Sequence, residues 1–172
     1  DTDIGYLSFQ EYFVKFQCEP KVKSIAFYGI ENSSPSPGFV KSLSGSDVLI
    51  FCPSNPYLSI DPILAIPGVR TMLQKFKGGR VAVSPIVGNR AIRGPAAKMM
   101  TELGKENSCV GVARKYVGLC DIFIIDEIDR IRADEIRALG FNVEILNPVM
   151  ASVEDKMGLG QKILELFGYQ EI

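Results

Sequence analysis

The stretch from Ser46 to Gly68, which reads SDVLIFCPSNPYLSIDPILAIPG, decides the fold. Its apolar run Val48 to Phe51 has the length and composition of a strand that is buried on both faces of a sheet. Prolines and an asparagine follow at once, so we expect the strand to end at Cys52. Polar side chains then enter the loop over residues 52–59. Because ligands of open α/β sheets bind outside the carboxyl ends of the strands, this loop is a candidate ligand site.

The polar residues of this loop allow two interpretations. Ser54, Asn55 and Ser59 orient a phosphate or a nucleobase in the first, and satisfy the backbone groups of a turn in the second. Hydroxyl and amide groups serve either purpose equally well. From the residues alone the two interpretations are close to even.

Strands and helices alternate along the rest of the chain. We expect further strands over residues 22–28, 80–86, 121–125 and 141–146. We expect helices over residues 36–43, 67–77, 95–103, 108–119, 128–139 and 153–167. The apolar face of the fifth helix is marked by Ile128, Ile131, Ile136 and Leu139. Strands that are separated by helices imply right-handed crossovers and a mostly parallel sheet.

The fold class that follows is a Rossmann-like three-layer α/β fold, in which helices flank a mostly parallel sheet within a single domain over residues 1–172. A nucleotide-binding sheet of this class usually begins with a strand that runs into a glycine-rich turn. Neither GxGxxG nor GxxxxGKS/T occurs here, and the chain begins without Met. We therefore interpret the sequence as the carboxyl-terminal part of a longer protein, without its amino-terminal strands.

Composition excludes several classes of site. The chain has no His, and its four cysteines form no CxxC pair, so neither a zinc site nor a disulfide framework is indicated. Chemistry must then use carboxylates, Lys, hydroxyls, backbone amides or a hard metal ion. No apolar run approaches the ~20 residues of a membrane span, and the amino terminus has no signal-peptide pattern. We expect a cytoplasmic protein that binds neither membrane nor nucleic acid.

Positive charge is concentrated in the middle of the chain. Residues 62–101 contain no Asp or Glu but seven cations: Arg70, Lys75, Lys77, Arg80, Arg90, Arg93 and Lys98. Acids outnumber bases by seven to four before this segment and by thirteen to eight after it. Solvated helix ends and turns account for the three cations from Lys75 to Arg80. An anionic ligand is the better explanation for the three cations from Arg90 to Lys98.

The loop from Ser84 to Gly94 has the features of a phosphate site. It opens the segment SPIVGNRAIRGPAAKMM, whose glycines, arginines and lysine are Gly88, Gly94, Arg90, Arg93 and Lys98. Glycines let the backbone approach a ligand, while unpaired amides at a helix start and guanidinium groups both favour an anion. The alternative is that a Gly-Pro pair merely starts a helix.

An acidic turn follows the strand predicted over residues 121–125. Its carboxylates, Asp126, Glu127 and Asp129, have the chemistry of magnesium ligands. However, acidic residues at a helix start are also stabilised by the helix dipole. We favour the second interpretation and assign no metal ligand in this chain.

Four segments of the chain resemble one family closely. They are FQEYFVKFQCEP at Phe9 to Pro20, CPSNPYLSIDPILAIPGVR at Cys52 to Arg70, SPIVGNRAIRGPAAKMM at Ser84 to Met100, and YVGL at Tyr116 to Leu119, just before DIFIIDEID. These segments are similar to those of the 2-phospho-L-lactate transferases, and the resemblance covers nearly the whole chain. The resemblance implies transfer of a phospholactyl group from a guanosine diphosphate derivative to the deazaflavin alcohol Fo, with release of GMP, in the biosynthesis of coenzyme F-420.

The resemblance also implies site residues. Ser54, Asn55 and Ser59 match the PSNP segment of the family, and Gly94 and Lys98 match its GPAAKMM segment. The family more often has Gly-Gly-Lys where this chain has Gly88-Asn89-Arg90, which keeps the positive charge but loses a glycine. The resemblance places the glycine-rich loop and the carboxylates for the deazaflavin and Mg2+ in the amino-terminal half of the family, which is absent here.

The hypothesis is therefore a 2-phospho-L-lactate transferase whose nucleotide- and phosphate-binding residues are Ser54, Asn55, Ser59, Gly88, Arg90, Gly94 and Lys98. No catalytic residue is assigned, and the transferred acid is phospholactyl, phosphoenolpyruvyl or a related three-carbon acid. We expect the isolated chain to be inactive, and the sequence leaves open whether the protein forms a homodimer.

The alternative is a non-catalytic nucleotide- or sugar-nucleotide-binding regulator of the related gluconeogenesis-factor group, in which GPGSLYTSI replaces CPSNPYLSI. In a third hypothesis, the chain is a folded half with an exposed sheet edge.

Overall fold

The computed structural model of the protein describes residues 1–170. The strands within these residues are β1 Val48–Phe51, β2 Gly79–Val83, β3 Ile86–Val87, β4 Arg90–Ala91, β5 Ile122–Ile125 and β6 Asn142–Ile145. Four of them form a parallel sheet in the order β1-β2-β5-β6, while β3 and β4 form a short antiparallel hairpin. The carboxyl ends of the four parallel strands consequently share one edge of the sheet.

The α-helices within the same residues are α1 Pro37–Gly45, α2 Asp61–Ala65, α3 Val69–Gln74, α4 Ala96–Glu102, α5 Cys109–Ala113, α6 Ala133–Arg137 and α7 Val153–Glu165. Short turns of π or 3₁₀ geometry cover Glu11–Lys15, Ile30–Asn32, Pro56–Ile60, Arg114–Tyr116 and Glu127–Arg132. Serine caps fix several helix starts: Ser36 accepts a hydrogen bond from the Phe39 amide at 3.2 Å, and Ser152 forms a capping box with Asp155. None of the helices in the part described has the length and hydropathy of a membrane span.

The sheet has a large apolar core on one face and a smaller one on the other. Four aromatic rings run through the large core, with successive centroids 5.1, 6.0 and 5.6 Å apart: Phe51, Tyr116, Phe123 and Phe141. On the opposite face, Leu159 and Ile163 of α7 pack against Val81, Val83 and Ile124. Helices therefore lie on both faces of the parallel sheet, and the α/β fold class is confirmed.

The strand expected over residues 22–28 is wrong. Val22 makes one isolated bridge to Thr2, and its amide donates to the carboxylate of Glu102 at 3.0 Å. The segment is thus held by the amino-terminal residues and by α4, and it does not join the sheet. Periodicity alone cannot show whether such a segment joins a sheet, because its partners, Thr2 and Glu102, are distant in sequence.

The position of β1 in the sheet also differs from the expectation. It was expected to be buried on both faces, but it is the edge strand, pairs only with β2 among the residues described, and leaves Ile50 38% exposed. The strand expected over residues 80–86 likewise ends earlier, at Val83. Ser84 ends it, because its hydroxyl donates to the carbonyl of Ile86 at 2.8 Å and starts the hairpin.

The inward face expected for Ile128 and Ile131 is wrong as well. These side chains are 65% and 88% exposed, whereas Asp129 is only 6% exposed. The reason is that Glu127–Arg132 is a 3₁₀ turn, in which residues three apart lie on one side. Ile128 and Ile131 therefore share the outer side, and a carboxylate is turned inward in their place.

Candidate functional site

After each parallel strand, one polar side chain at the carboxyl edge of the sheet has a local partner. Side-chain oxygens there accept backbone amide hydrogen bonds: Asn55 from Tyr57 and Leu58, Ser84 from Ile86, Asp126 from Ile128, and Asn147 from Val149. These are the turn and cap contacts that Asn, Ser and Asp typically make. Local hydrogen bonds therefore fix the conformation of these loops without a ligand.

Asn55 links the loop after β1 to α4. Its Oδ1 accepts from the amides of Tyr57 at 2.9 Å and Leu58 at 3.2 Å, and its Nδ2 lies 3.6 Å from the sulfur of Met99. Ser54 is half-buried and Ser59 is exposed, and neither hydroxyl has a hydrogen-bond partner among the described residues. Ser59 lies in the helical turn Pro56–Ile60, so the loop expected over residues 52–59 ends sooner than the sequence indicated.

Lys98 lies on α4 and points toward the amino-terminal segment. Its Nζ donates to the carbonyl of Pro20 at 2.8 Å and forms an ion pair with Glu102 at 2.7 Å. The same ammonium lies 5.9 Å from the centroid of the Tyr12 ring. The positive charge is therefore already balanced by one carboxylate, although an ammonium group has three donors and the side chain is 36% exposed.

Gly88 and Arg90 belong to the hairpin β3–β4. Gly88 and Asn89 form its turn with φ values of +53° and +63°, a left-handed conformation that both residue types tolerate. The Gly88 amide donates to Oδ2 of Asp129 at 3.0 Å, and the Asn89 carbonyl accepts from Asn107 at 2.8 Å. Arg90 is exposed and has no carboxylate within 4.0 Å in the part of the chain that the structure describes.

Gly94 joins the hairpin to α4. Its φ of +67° lies in the left-handed region, and a Cβ there would meet open space. The glycine is therefore required by backbone conformation and not by crowding. The neighbouring Arg93 is exposed and, like Arg90, forms no ion pair with any residue among 1–170. The loop accordingly presents two uncompensated guanidinium groups.

The seven residues named from the sequence fall into two groups. The PSNP group consists of Ser54, Asn55, Ser59 and Lys98; the Asn55–Met99 contact ties the loop to α4, the helix that carries Lys98. The hairpin group consists of Gly88, Arg90 and Gly94, and its turn is bound to Asp129 and Asn107. Contacts between α4 and β4 connect the two groups.

The acidic turn does not have the arrangement of a metal site. Glu127 forms a two-pronged ion pair with Arg130, with N–O distances of 2.6 and 2.5 Å, and that partner lowers the pKa of Glu127. Asp126 caps Ile128, and Asp129 binds the Gly88 amide. No three His, Cys, Asp or Glu side chains within residues 1–170 are grouped so that they could hold a metal ion. The carboxylates described here do not fit Mg2+.

Sequence reasoning missed a cleft of about 670 Å³ beside the PSNP group. Residues of the amino-terminal segment line it together with Tyr57, Leu58, Pro62 and Met99. The sequence does not indicate this cleft, because it wrongly predicts a strand over residues 22–28. The signal that could have found it is the density of Tyr and Phe in residues 6–13 and 27–28.

Asp61 and Tyr57 also have partners that the sequence did not indicate. Lys115 forms an ion pair with Asp61 at 2.8 Å, and its Nζ lies 4.2 Å from the centroid of the Tyr57 ring. Both contacts involve the helical turns directly after Asn55. They tie the PSNP group to the segment Arg114–Tyr116 through a charge and a cation–π interaction.

Comparison with known proteins identifies one family. The sequence model of the family described as 2-phospho-L-lactate transferase CofD matches residues 2–156. The 2-phospho-L-lactate transferase of Methanococcoides burtonii is 36% identical over 167 residues, which cover 97% of this chain and 54% of that protein. The phosphoenolpyruvate transferase of Streptomyces griseus is 35% identical over 167 residues, which cover 96% of this chain and 52% of that protein. The chain spans about half the length of the curated relatives it matches.

Among solved structures, a member of the UPF0052 family from Bacillus halodurans is similar to the chain. The superposed region covers 92% of this chain and 48% of that protein, with a TM-score of 0.45 and 16% sequence identity. A likeness at this level carries no argument about function.

Proposed function

The chain belongs to the 2-phospho-L-lactate transferase CofD family, and we propose that the protein containing it transfers a phospholactyl group, or a related three-carbon phospho-acid, from a guanosine diphosphate derivative to the deazaflavin alcohol Fo. The observation that carries this proposal is the family match over residues 2–156. The relatives from Methanococcoides burtonii and Methanosarcina mazei are both named 2-phospho-L-lactate transferase. The name of the Streptomyces griseus relative keeps phosphoenolpyruvate open as the related acid.

The proposed reaction is attack of an alcohol on phosphorus. The alcohol oxygen of Fo forms a new bond to the phosphorus that carries the three-carbon acid. The bond from that phosphorus to the bridging oxygen breaks, GMP leaves with the electron pair, and the hydroxyl proton passes to solvent. Such a transfer needs charge neutralisation and positioning more than covalent catalysis. A His-free chain with an uncompensated cationic loop is suited to both tasks.

We assign the diphosphate to Arg90, with support from Arg93 and from the amide of Gly94. Both guanidinium groups are exposed and free of carboxylate partners in the described part of the chain, so they reach an anion without breaking an ion pair. An arginine that binds phosphate offers two parallel donors, which gives both charge and orientation. Gly88 contributes by setting the turn that presents Arg90.

The PSNP group is assigned to the nucleotide. Ser54 and Ser59 offer hydroxyls without partners in the described residues, and Lys98, which is bound to Pro20 and Glu102, would have to exchange one of these contacts for the ligand. Asn55 acts by fixing the turn, because its oxygen is already used by two amides. Mg2+ stays part of the proposal with ligands outside the described residues, and no step above passes through it.

The site assignment is tested by calorimetric titration of the complete protein with GDP. Loss of one charged hydrogen bond weakens binding by about 10-fold or more, so we expect Arg90→Ala to raise the Kd for GDP by at least that factor. Lys77→Ala is the matched control, because Lys77 is another exposed cation of the positive segment. Equal GDP affinity in both variants would remove Arg90 from the site.

Three further expectations stay predictions. They are the cytoplasmic location, the inactivity of the isolated chain and the homodimer. No specific feature of the fold or site favours the alternative of a non-catalytic nucleotide-binding regulator.

A further inference from the structure

Two side chains of α4 hold the amino-terminal segment in place. Nζ of Lys98 donates to the carbonyl of Pro20 at 2.8 Å, and Oε2 of Glu102 accepts from the amide of Val22 at 3.0 Å. Pro20 and Val22 are both buried. We call residues 17–24, which contact α4 in this way, the strap. One helical turn of α4 therefore fixes the strap at two points.

The same two side chains bind each other. The ammonium group of Lys98 lies 2.7 Å from Oε1 and 2.9 Å from Oε2 of Glu102. It also lies 5.9 Å from the centroid of the buried Tyr12 ring. An ammonium group has three hydrogens, and the Pro20 carbonyl and the two carboxylate oxygens use all of them. Lys98 must therefore give up a contact before it binds a ligand.

Lys98 is nevertheless within reach of a ligand. Its side chain is 36% exposed, and it lies four residues after Gly94, whose amide we assign to the diphosphate. A phosphate group that binds Lys98 replaces the Pro20 carbonyl, the Glu102 carboxylate or both. The phosphate and the strap are thus alternative partners of one ammonium group.

Glu102 links the loss of one strap contact to the loss of the other. Its side chain is only 14% exposed, so its charge is unfavourable there without the ammonium group as partner. A phosphate group beside Lys98 also repels the carboxylate, because both are negative. The carboxylate then turns toward solvent and gives up the amide of Val22. Capture of Lys98 by an anion therefore frees the strap at both points.

The backbone of the strap favours its release. Gln17 and Cys18 have φ values of +48° and +64°, in the left-handed region that residues other than Gly rarely adopt. The Cys18 amide donates to the carbonyl of Tyr12 at 2.8 Å and closes this turn. Two successive residues in this conformation are unfavourable unless the surrounding contacts hold them. Release from α4 would let the turn relax.

From these observations we infer that the Lys98–Glu102 pair is a latch, which holds the strap without a ligand and releases it when a phosphate group binds Lys98. Glu102 is then a positioning residue, because it acts on the ligand only through Lys98. The inference rests on the proposed function for the identity of the anion as a nucleoside diphosphate, but not for the competition between anion and strap. By thermodynamic linkage, a change that weakens the hold of Lys98 on its present partners strengthens the binding of the anion.

The first test is calorimetric titration of the complete protein with GDP and with inorganic pyrophosphate. Glu102→Gln keeps the size of the side chain and an oxygen for the Val22 amide, but it removes the charge that competes for Lys98. Because a partly exposed ion pair contributes modestly, we expect the Kd for both probes to fall by about 2- to 5-fold. The control is Asp134→Asn, which removes an equal charge from an exposed ion pair with Arg137. A Kd that does not fall in Glu102→Gln, or that falls equally in the control, would overturn the latch.

The second test is hydrogen exchange of the backbone amides of residues 21–24, measured by mass spectrometry on the complete protein. We expect saturating GDP or pyrophosphate to speed this exchange by about 5-fold or more in the wild type, because the anion frees the strap. In Lys98→Gln the exchange should be fast without a ligand and should change little when one is added. Unchanged or slower exchange in the wild-type protein with a bound anion would overturn the inference, because a purely structural ion pair predicts that result.

The two probes separate this inference from the proposed function. If pyrophosphate binds and frees the strap but GDP does not bind, the latch stands and the proposed donor fails. If GDP binds and the strap does not respond, the latch fails and the proposed function stands. Absence of binding by either probe would overturn both.

Discussion

At the scale of single residues, Asn55 has a structural task that a functional interpretation alone would overlook. Its side-chain oxygen satisfies two amides at the start of a helical turn, and its nitrogen reaches the sulfur of Met99. A residue that shapes a loop in this way affects ligand binding even without touching the ligand. Stability and binding must therefore be measured together for every variant at this position.

We expect Asn55→Ala to lower the free energy of unfolding by about 1 kcal/mol, because two backbone amides lose their cap. Asn55→Asp keeps the accepting oxygen and should retain most of that stability. Urea denaturation of the complete protein provides the measurement, with Ser59→Ala as control because its hydroxyl has no partner in the described residues. An alanine variant as stable as the wild type would show that the cap contributes nothing.

Glu106 gives a second prediction at this scale. Arg132, Ser108 and Arg114 donate hydrogen bonds to its carboxylate and lower its pKa from 4.5 to about 2. Because the folded-state pKa is the lower one, the carboxylate stabilises the fold above about pH 4.5, and this contribution is lost as the pH falls toward 2. We expect the free energy of unfolding of the Glu106→Gln variant to lack this part of the decrease at low pH.

The measurement is the free energy of unfolding between pH 6 and the acid limit of solubility. The matched control is Glu154→Gln, since Glu154 is exposed and forms no ion pair among residues 1–170. Parallel pH profiles for wild type and Glu106→Gln would contradict the account of this carboxylate.

At the scale of elements, the hairpin β3–β4 owes its position to a contact from outside it. The Gly88 amide is held by the carboxylate of Asp129, which the 3₁₀ turn directs inward. A two-residue strand pair is too short to be stable alone. The orientation of Arg90 therefore depends on a residue that lies 39 positions further along the chain.

We expect Asp129→Ala to destabilise the protein by about 1 to 3 kcal/mol, because a partly buried amide loses its acceptor. The same variant should weaken GDP binding, because the hairpin no longer presents Arg90 in one orientation. Asp129→Asn retains an accepting oxygen and should show smaller effects on both. Urea denaturation measures the stability of these variants, and titration with GDP measures their affinity. Unchanged GDP affinity in a destabilised Asp129→Ala variant would show that the hairpin does not take part in nucleotide binding.

The elements also show what the sequence could and could not predict. Helices with strong local signals are predictable, such as α1, which follows the Ser36-Pro37 pair, and α7, which has an amphipathic pattern. The segment over residues 22–28 is not predictable from local pattern, because its partners, Thr2 and Glu102, are distant in sequence. An α-helical period predicts Ile128 and Ile131 on the inner face, whereas the backbone there is 3₁₀. Local chemistry was thus predictable, and long-range pairing was not.

At the scale of the whole molecule, the parallel sheet brings the polar strand ends to one edge, as expected. The sequence named the two loops of the candidate site, because glycine, proline and charge mark them locally. It did not indicate the aromatic cleft, since that space forms only where the amino-terminal segment meets the turns after Asn55. Nor did it indicate that Glu102 compensates Lys98, which leaves Arg90 as the better cation for the diphosphate.

The central claim is that the protein containing this chain transfers a phospho-acid to Fo. The most direct test incubates the complete protein with Fo and synthetic guanosine diphosphate derivatives of phospholactate and of phosphoenolpyruvate, and quantifies GMP and the Fo phosphodiester by mass spectrometry. We predict formation of GMP and the phosphodiester in equal amounts with at least one donor, and none without Fo. Binding of the donor with no GMP and no phosphodiester from either derivative would contradict the claim.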